Sequence, residues 1–221
     1  MADIKVEYLN HMGDDLTVVN AARVSYDKSS DYVGHIHSGD QRVLSERDVK
    51  LIGYLAKHQH TSPFGHAFAS FRVTAPVFVA RQLVKHKFLR WNEISRRYVN
   101  YEPEFYEPEW REKPVNSKQG SGGPMEISLD TEMLYYATIR NALTTYNRMI
   151  DEGVAPEQAR AILPQNMMTS WIWSGSLDAW ADMCKLRCAH DTQQESRLVA
   201  IEIDMAMELR FPVSWRALRY A

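Results

Sequence analysis

The hydrophobic and polar positions of this chain alternate in a few short stretches and recur with helical spacing in most of the remainder. The alternation over residues 4–8 and 68–73, and the apolar stretch at 165–173, predict strands. Helical spacing predicts helices at 16–25, 45–57, 77–87, 129–152, 156–163, 177–187 and 193–209. The pattern therefore indicates an α+β fold with more helix than sheet.

Polar residues and glycine stand where several of these helices should begin or end. Asp14 or Asp15 should cap the first helix and Ser45 the second, because short polar side chains accept hydrogen bonds from free backbone N–H groups. Gly153 should end the long helix. The segments between helices are polar or rich in glycine and proline, which predicts loops at 28–40 and 101–124.

Length and composition favour a single globular domain over residues 1–221. The chain has 221 residues, of which 45% are hydrophobic and 11% aromatic, enough for a substantial core. The net charge of −2 argues against a dedicated nucleic-acid partner, because such proteins are usually basic overall. Any positive charge that binds a ligand must therefore be local, and the anionic ligand small.

The cysteines and the absence of targeting signals indicate a cytoplasmic protein. Cys184 and Cys188 share one face of a predicted helix, and the chain has no second pair that could complete a structural zinc site. They are expected to be buried thiols in a reducing compartment. The sequence contains no signal peptide and no apolar run of membrane-spanning length.

A local concentration of positive charge lies between residues 81 and 97. This stretch holds six Arg or Lys residues and a single acid, Glu93. The string Asn92 to Tyr98 adds amide, carboxylate and hydroxyl groups that can complete a site for phosphate. The alternative is a solvated basic helix face followed by a loop.

Three histidines and three later arginines are further candidates for ligand contacts. His58, His60 and His66 lie in one predicted loop, but no carboxylate is interleaved, so no metal site is predicted. A contact with a ligand or cofactor is the preferred interpretation, and structural hydrogen bonding is the alternative. The arginines must find an anion or an internal acid partner, and they are Arg160, Arg187 and Arg197.

Several common catalytic motifs are missing from the sequence. It contains no Gly-x-Gly-x-x-Gly, no Gly-Lys-Ser/Thr loop and no Gly-x-Ser-x-Gly elbow. Neither cysteine has the surroundings expected of a catalytic nucleophile.

The motifs resemble those of the flavin-dependent thymidylate synthases. The family signature is Arg-His-Arg, a spacer and Asn-Glu-x-Ser-x-Arg-Tyr, which corresponds here to Lys85-His86-Lys87 followed by residues 92–98. Further similar segments run through most of the chain, at 21–25, 60–66, 75–82, 159–164, 186–187 and 193–195.

The resemblance implies a fold with a central antiparallel sheet flanked by helices, assembled as a homotetramer with sites at subunit interfaces. It implies conversion of dUMP to dTMP with 5,10-methylenetetrahydrofolate and NADPH as co-substrates and FAD as cofactor. Neither a membrane nor a nucleic acid is an expected partner. The resemblance also implies that no cysteine activates the uracil ring.

The resemblance also assigns roles to individual residues. Arg187 is the expected catalytic residue, placed at the uracil edge, where a fixed cation favours ionisation of N3. The expected dUMP contacts are Gln82, Lys85, Glu93, Ser95, Arg96, Arg97, Arg160 and Arg187. The expected FAD contacts are His60, Ser62, Lys85, His86, Lys87, Asn92, Glu93, Ser176, Asp178 and Asp182.

Three departures from the family pattern leave alternatives open. Lys85 and Lys87 replace arginines and lose the planar fork of donors. Asp178 and Asp182 place acids where many members carry Arg and Asn, and Asp191 separates His190 from the Thr-Gln that follows. One alternative is a related enzyme with a different product, such as a hydroxymethylated pyrimidine nucleotide. The other is a non-catalytic oligomer that binds nucleotides or RNA.

Overall fold

A four-stranded antiparallel sheet is the framework of the protein. The computed structural model describes residues 2–35, 42–99, 101–115 and 120–220. The strand order is β1-β4-β6-β5, with bounds β1 Lys5–Met12, β4 Phe68–Pro76, β5 Arg90–Glu93 and β6 Met168–Ser176. A separate two-stranded pair joins β2 Gly34–His35 to β3 Arg42–Val43. The α+β class predicted from the sequence is confirmed.

Eight α-helices surround the sheet within the described part of the chain. Their bounds are α1 Asp15–Arg23, α2 Glu46–Lys57, α3 Val77–Leu83, α4 Leu129–Asp151, α5 Pro156–Ala159, α6 Leu177–Arg187, α7 Gln194–Arg210 and α8 Pro212–Tyr220. Short 3₁₀ turns follow three of them, at Val24–Tyr26, Ser62–His66 and Arg160–Ile162. None of the described helices has the length and apolar character needed to cross a membrane.

The sheet and helices pack around a core rich in tryptophan. Alternate residues of β4 point inward, so that Phe71 is fully buried on the same face as Ala69 and Val73. The ring of Trp180 from α6 meets Phe71 edge to face at 5.2 Å and Trp173 of β6 at 5.0 Å. These contacts fix α6 across the centre of the sheet.

The predicted helix boundaries are confirmed where side chains cap the backbone. Asp14 accepts from Thr17 N at 2.8 Å and forms a capping box at the start of α1. Ser45 accepts from Asp48 N at 3.2 Å at the start of α2. Gly153 follows α4 with a φ of +85°, a conformation that glycine adopts without steric cost.

Other predicted boundaries were wrong because tertiary contacts decide them. The helix predicted at 77–87 ends at Leu83, and the chain then turns through Phe88, whose φ is +65°. The strand predicted at 165–173 begins three residues later, because its hydrogen bonds follow β4 in a register that starts at Met168. The loop predicted at 28–40 contains the strand Gly34–His35, while residues 36–40 lie outside the described ranges. Strands β3 and β5 and helix α8 were not predicted either.

Gly175 provides a test of how closely β6 packs against the turn before β5. A Cβ at this position would come 2.3 Å from Leu89 Cδ2, and Leu89 is buried. We expect Gly175→Ala to lower the free energy of unfolding by about 1–3 kcal/mol, the usual range for overpacking. The measurement is denaturant unfolding at a fixed protein concentration.

Gly53 is the matched control because it lies inside α2, where an added Cβ meets no atom within 4 Å. Gly53→Ala should raise the free energy of unfolding by about 0.5–1 kcal/mol, since alanine favours a helix interior more than glycine. Equal stability of the two variants would contradict the packing described for β6.

Candidate active site

Two adjoining clefts collect most of the arginines singled out by the sequence. The first, called the Arg160 cleft, has a volume of about 630 Å³ and is lined by Arg81, Glu93, Arg96, Arg160 and Thr169, among others. It lies at the end of the sheet where β6 begins, since Met167 and Met168 form part of its wall. The cleft therefore brings together three guanidinium groups from three separate parts of the chain.

Hydrogen bonds within the chain hold the polar side chains of the Arg160 cleft in place. Glu93 Oε1 accepts from the Thr169 hydroxyl at 2.8 Å, and Glu93 Oε2 accepts from Trp91 Nε1 at 3.1 Å. Arg96 is buried, donates to the Tyr101 carbonyl at 2.6 Å and lies 4.6 Å from the centroid of that ring. The predicted dUMP contacts Glu93 and Arg96 thus have fixed orientations.

Within the ranges that the structure describes, Arg160 has one hydrogen-bond acceptor, which leaves most of its donors available to a ligand. Its Nε donates to the Glu157 carbonyl at 3.3 Å, a local contact within the same turn. Among the described residues, no ion pair joins Arg81, Arg96 or Arg160 to an acid. The cleft can therefore accommodate an anionic group such as a phosphate.

The second cleft, called the Arg187 cleft, has a volume of about 750 Å³. Its walls include Arg81, Gln82, Lys85, Arg187 and Gln193. Arg81 lines both clefts, so a single ligand that bridges them would meet this side chain from either side. The predicted substrate contacts Gln82, Lys85 and Arg187 lie together here.

Arg187, the last residue of α6, is oriented by the turn that follows α3. Its Nε donates to His86 Nε2 at 2.9 Å, and its Nη2 donates to the Gln82 carbonyl at 3.5 Å. Burial, and then the charge of Arg187, lower the pKa of His86 to about 4. His86 is therefore neutral at pH 7 and keeps the Nε2 lone pair that accepts from Arg187.

Other predicted substrate residues lie outside the two clefts. Ser95 Oγ accepts from Arg97 N at 3.3 Å and from Arg97 Nε at 3.4 Å. The Arg97 guanidinium lies 4.9 Å from the ring centroid of Tyr98, and both side chains are exposed. In the single chain the hydrogen-bond donors of Arg97 and Tyr98 therefore face outward.

The predicted flavin contacts are divided between two regions. His60 and Ser62 lie beside the end of β6. Ala67, which follows the 3₁₀ turn Ser62–His66, accepts from the backbone N–H of Leu177, the residue after β6, at 3.0 Å. Ser176 and Asp178 lie at this same end, and Asp182 lies one turn further along α6. The β4–β6 ladder, at about 3.3 Å per residue, separates this end by roughly 25 Å from the Arg160 cleft. Lys85, His86 and Lys87 form the second region, in the turn between α3 and β5, together with Asn92 and Glu93 of β5 itself.

The donor chemistry of the second region fits an anionic cofactor with many hydrogen-bonding groups, such as FAD. Lys85, Lys87 and Asn92 are exposed and offer cationic and amide donors. Asp178 fits a phosphate poorly, because its carboxylate is negative and already accepts from the Ser176 hydroxyl at 2.5 Å. No group of three or more His, Cys, Asp or Glu side chains suited to a metal ion occurs in the described ranges.

Three residues of these clefts were given no role from the sequence. Arg81 was counted in the basic stretch but given no role, although it lies on α3 and lines both clefts. Gln193 was noted only as part of a motif, and its amide accepts from Gln82. Arg111 enters the Arg187 cleft from the 101–115 segment, and nothing in its local sequence indicates that contact.

Comparison with known proteins identifies the family. A family model described as "Thymidylate synthase complementing protein" matches residues 7–213. The flavin-dependent thymidylate synthase of Thermus thermophilus is 39% identical over 217 residues, which cover 96% of this chain and 74% of the relative. That of Kosmotoga olearia is 35% identical over 209 residues, covering 93% and 86%.

A solved structure shares the fold. The UMP/dUMP methylase PolB from Streptomyces cacaoi, bound with 5-Br dUMP, superposes with a TM-score of 0.81 and 29% sequence identity. The match covers 98% of this chain and 94% of PolB. The fold and its two cationic clefts thus define an α+β protein of the nucleotide-methylating class. The chain belongs to the flavin-dependent thymidylate synthase family, which confirms the resemblance found in the sequence.

The Arg187–His86 contact predicts a change in the pKa of His86. Arg187→Ala removes a positive charge and opens the ring to water, so the pKa should rise from about 4 toward its ordinary value of 6.5. The measurement is an NMR titration of the histidine ring carbons. Lys185→Ala is the control, because it removes an exposed cation from the same end of α6.

The lowered pKa also fixes the direction of a pH effect on stability. The unfolded chain takes up a proton on His86 below pH 6.5, whereas the folded chain does so only near pH 4. The contribution of neutral His86 is therefore complete above pH 6.5 and lost as the pH falls toward 4. An unchanged His86 pKa in Arg187→Ala would contradict the contact.

Proposed function

We propose that this chain is a flavin-dependent thymidylate synthase that converts dUMP to dTMP. 5,10-Methylenetetrahydrofolate donates the one-carbon unit to C5 of the uracil ring, and NADPH is the reductant. FAD, when bound, supplies the hydride transfer that completes the methyl group. The observation that carries this proposal is the pair of cationic clefts that share Arg81, with Arg187 fixed by neutral His86.

The two clefts suggest how the chain holds the nucleotide. Arg96 and Arg160 provide guanidinium groups for the phosphate, and Gln82 and Arg187 provide donors for the uracil ring. A cation held beside the ring stabilises the N3 anion and makes C5 more nucleophilic. Because His86 is neutral, Arg187 keeps its full charge for this role instead of facing a second cation.

We further propose that the complete site forms between subunits of a homotetramer. His60 and Ser62, the expected FAD contacts, lie at the opposite end of the β4–β6 ladder from Arg160, an expected dUMP contact, so roughly 25 Å separates the two sets within one chain. Helix α4 also exposes Leu129, Met133 and Leu134, at 76%, 68% and 68% of their surface. A row of large apolar side chains of this kind is usually covered by another protein surface.

Four residues that differ from the family pattern determine which alternative functions the test must separate. Lys85 and Lys87 keep positive charge without the bidentate fork, and Asp178 and Asp182 repel a diphosphate. If they alter the bound geometry, the nucleotide product would change, or flavin binding would be lost altogether.

The test is to incubate the purified protein with dUMP, 5,10-methylenetetrahydrofolate, NADPH and FAD and to identify the nucleotide by mass spectrometry. We expect dTMP that depends on FAD. Arg187→Ala should lower turnover by at least about a hundredfold, the effect typical of losing one preorganised electrostatic group. Size-exclusion chromatography should show that the variant keeps the oligomeric state of the wild type.

A hydroxymethylated nucleotide would overturn the proposed product while keeping the enzyme class. A colourless protein that neither binds added FAD nor changes dUMP would favour a non-catalytic nucleotide-binding role. Near-normal turnover in Arg187→Ala would contradict the catalytic role of that residue.

A further inference from the structure

A buried ion pair joins the 101–115 segment to the start of α7. Arg111 Nη2 donates to Glu195 Oε1, and the two side chains are 13% and 3% exposed. Taking such a pair out of water costs free energy that the attraction often fails to recover, so burial of this kind adds little stability. The pair is better explained by what it positions.

The Arg111 guanidinium donates two further hydrogen bonds to residues nearby in the chain. Its Nε donates to Ser121 Oγ at 2.8 Å, and its Nη1 donates to the Glu109 carbonyl at 3.3 Å. One planar fork thus connects Glu109 and Ser121 to an acid 84 positions from Arg111 in the chain.

Backbone contacts extend this attachment along the wall of the Arg187 cleft. Gly122 N donates to Glu112 O at 2.8 Å, and Glu112 N donates to Gly123 O at 2.9 Å. Gly120 lies so close to the turn after α6 that a Cβ there would be 2.9 Å from Asp191 O. Arg111, Gly120 and Ser121 therefore form the outer side of the cleft, opposite α3.

The start of α7 also fixes the inner side of the cleft. Gln82 Nε2 donates to Gln193 Oε1, and Gln82 Oε1 accepts from the buried Ser196 hydroxyl at 3.2 Å. Both the nitrogen and the oxygen of the Gln82 side-chain amide are thereby engaged. The backbone carbonyl of Gln82 accepts from Arg187. Glu195 lies between Gln193 and Ser196, so the same helical turn carries all three contacts.

We propose that the Arg111–Glu195 pair is a positioning element of the nucleotide site. It holds the outer wall against the helical turn that orients Gln82 and, through Gln82, the Arg187 guanidinium. The inference rests on the proposed binding of dUMP in the Arg187 cleft. Neither residue is assigned a part in the chemistry.

Charge and position predict different results for substitutions in this pair. Glu195→Gln makes the cleft more positive by one charge, and Arg111→Gln makes it less positive by one. If charge alone matters, dUMP binds more tightly to the first variant, more weakly to the second, and normally to the double variant. If position matters, all three bind dUMP more weakly, because each releases the outer wall.

The experiment is calorimetric titration of dUMP into the FAD-loaded wild type and the three variants, with the KM for dUMP and kcat measured in parallel. We expect Kd and KM for dUMP to rise about tenfold in all three, the size of one well-placed polar contact, with a smaller change in kcat. Arg111→Lys should also weaken binding, since it keeps the charge and loses the fork. Arg111→Lys also takes the place of Arg111→Gln in the test if Arg111→Gln fails to fold.

Arg148→Gln is the control, because Arg148 pairs with Glu152 on the exposed face of α4, where both side chains are more than half exposed. Its Kd should equal that of the wild type. Opposite effects of the two single variants with a normal double variant would overturn the proposal in favour of charge alone. Unchanged Kd in all variants would overturn it as well. Wild-type protein that binds no dUMP would overturn the proposed function first, and this inference with it.

Discussion

Nine residue pairs between β4 and β6 determine where the candidate site residues lie. The ladder runs without interruption from Phe68 opposite Ser176 to Pro76 opposite Met168. Its buried face holds α6 in place through Trp180, and its two ends carry different chemistry. Of the flavin contacts predicted from the family, His60, Ser62 and Ser176 lie at the Ser176 end, whereas the Arg160 cleft opens at the Met168 end. A rigid ladder keeps these groups apart within one chain.

The contact between Arg187 and His86 connects this scaffold to the proposed chemistry. Helix α6 starts at one end of the ladder and delivers Arg187 to the turn that follows α3. There a histidine kept neutral by burial accepts from the arginine without competing for the substrate anion. The same turn carries Lys85 and Lys87, so a change of backbone in this turn would alter both clefts and the flavin contacts together.

The sequence predicted those features that depend on local chemistry. The caps at Asp14 and Ser45 follow from short polar side chains before amphipathic helices, and α6 was predicted with its exact bounds, Leu177–Arg187. Strand β5 was missed because its four residues are held at the edge of the sheet by pairing with β6, where Trp91 stacks on Trp171 at 4.2 Å.

In the candidate site, too, the features with a local sequence signal were predicted and those set by long-range packing were not. The basic stretch and its arginines were visible as an anion-binding signal, and the family motif supplied the residue roles. The contact of Arg111 with Glu195 was not predictable, because it joins a loop to a helix 84 positions away. Local patterns carry no information about such a pairing, which depends on how the whole chain packs.

The most direct test of this account is complementation between two inactive variants, His60→Ala at one end of the ladder and Arg160→Ala at the other. The two chains carry different affinity tags and are co-expressed, and the mixed oligomer is purified through both tags before dTMP formation is measured. If the complete site forms between subunits, turnover that is absent in each variant alone returns in part, because some sites then combine an intact end from each chain. If both ends of one chain served the same site, every site would keep a defect, and mixed oligomers without turnover would contradict the account.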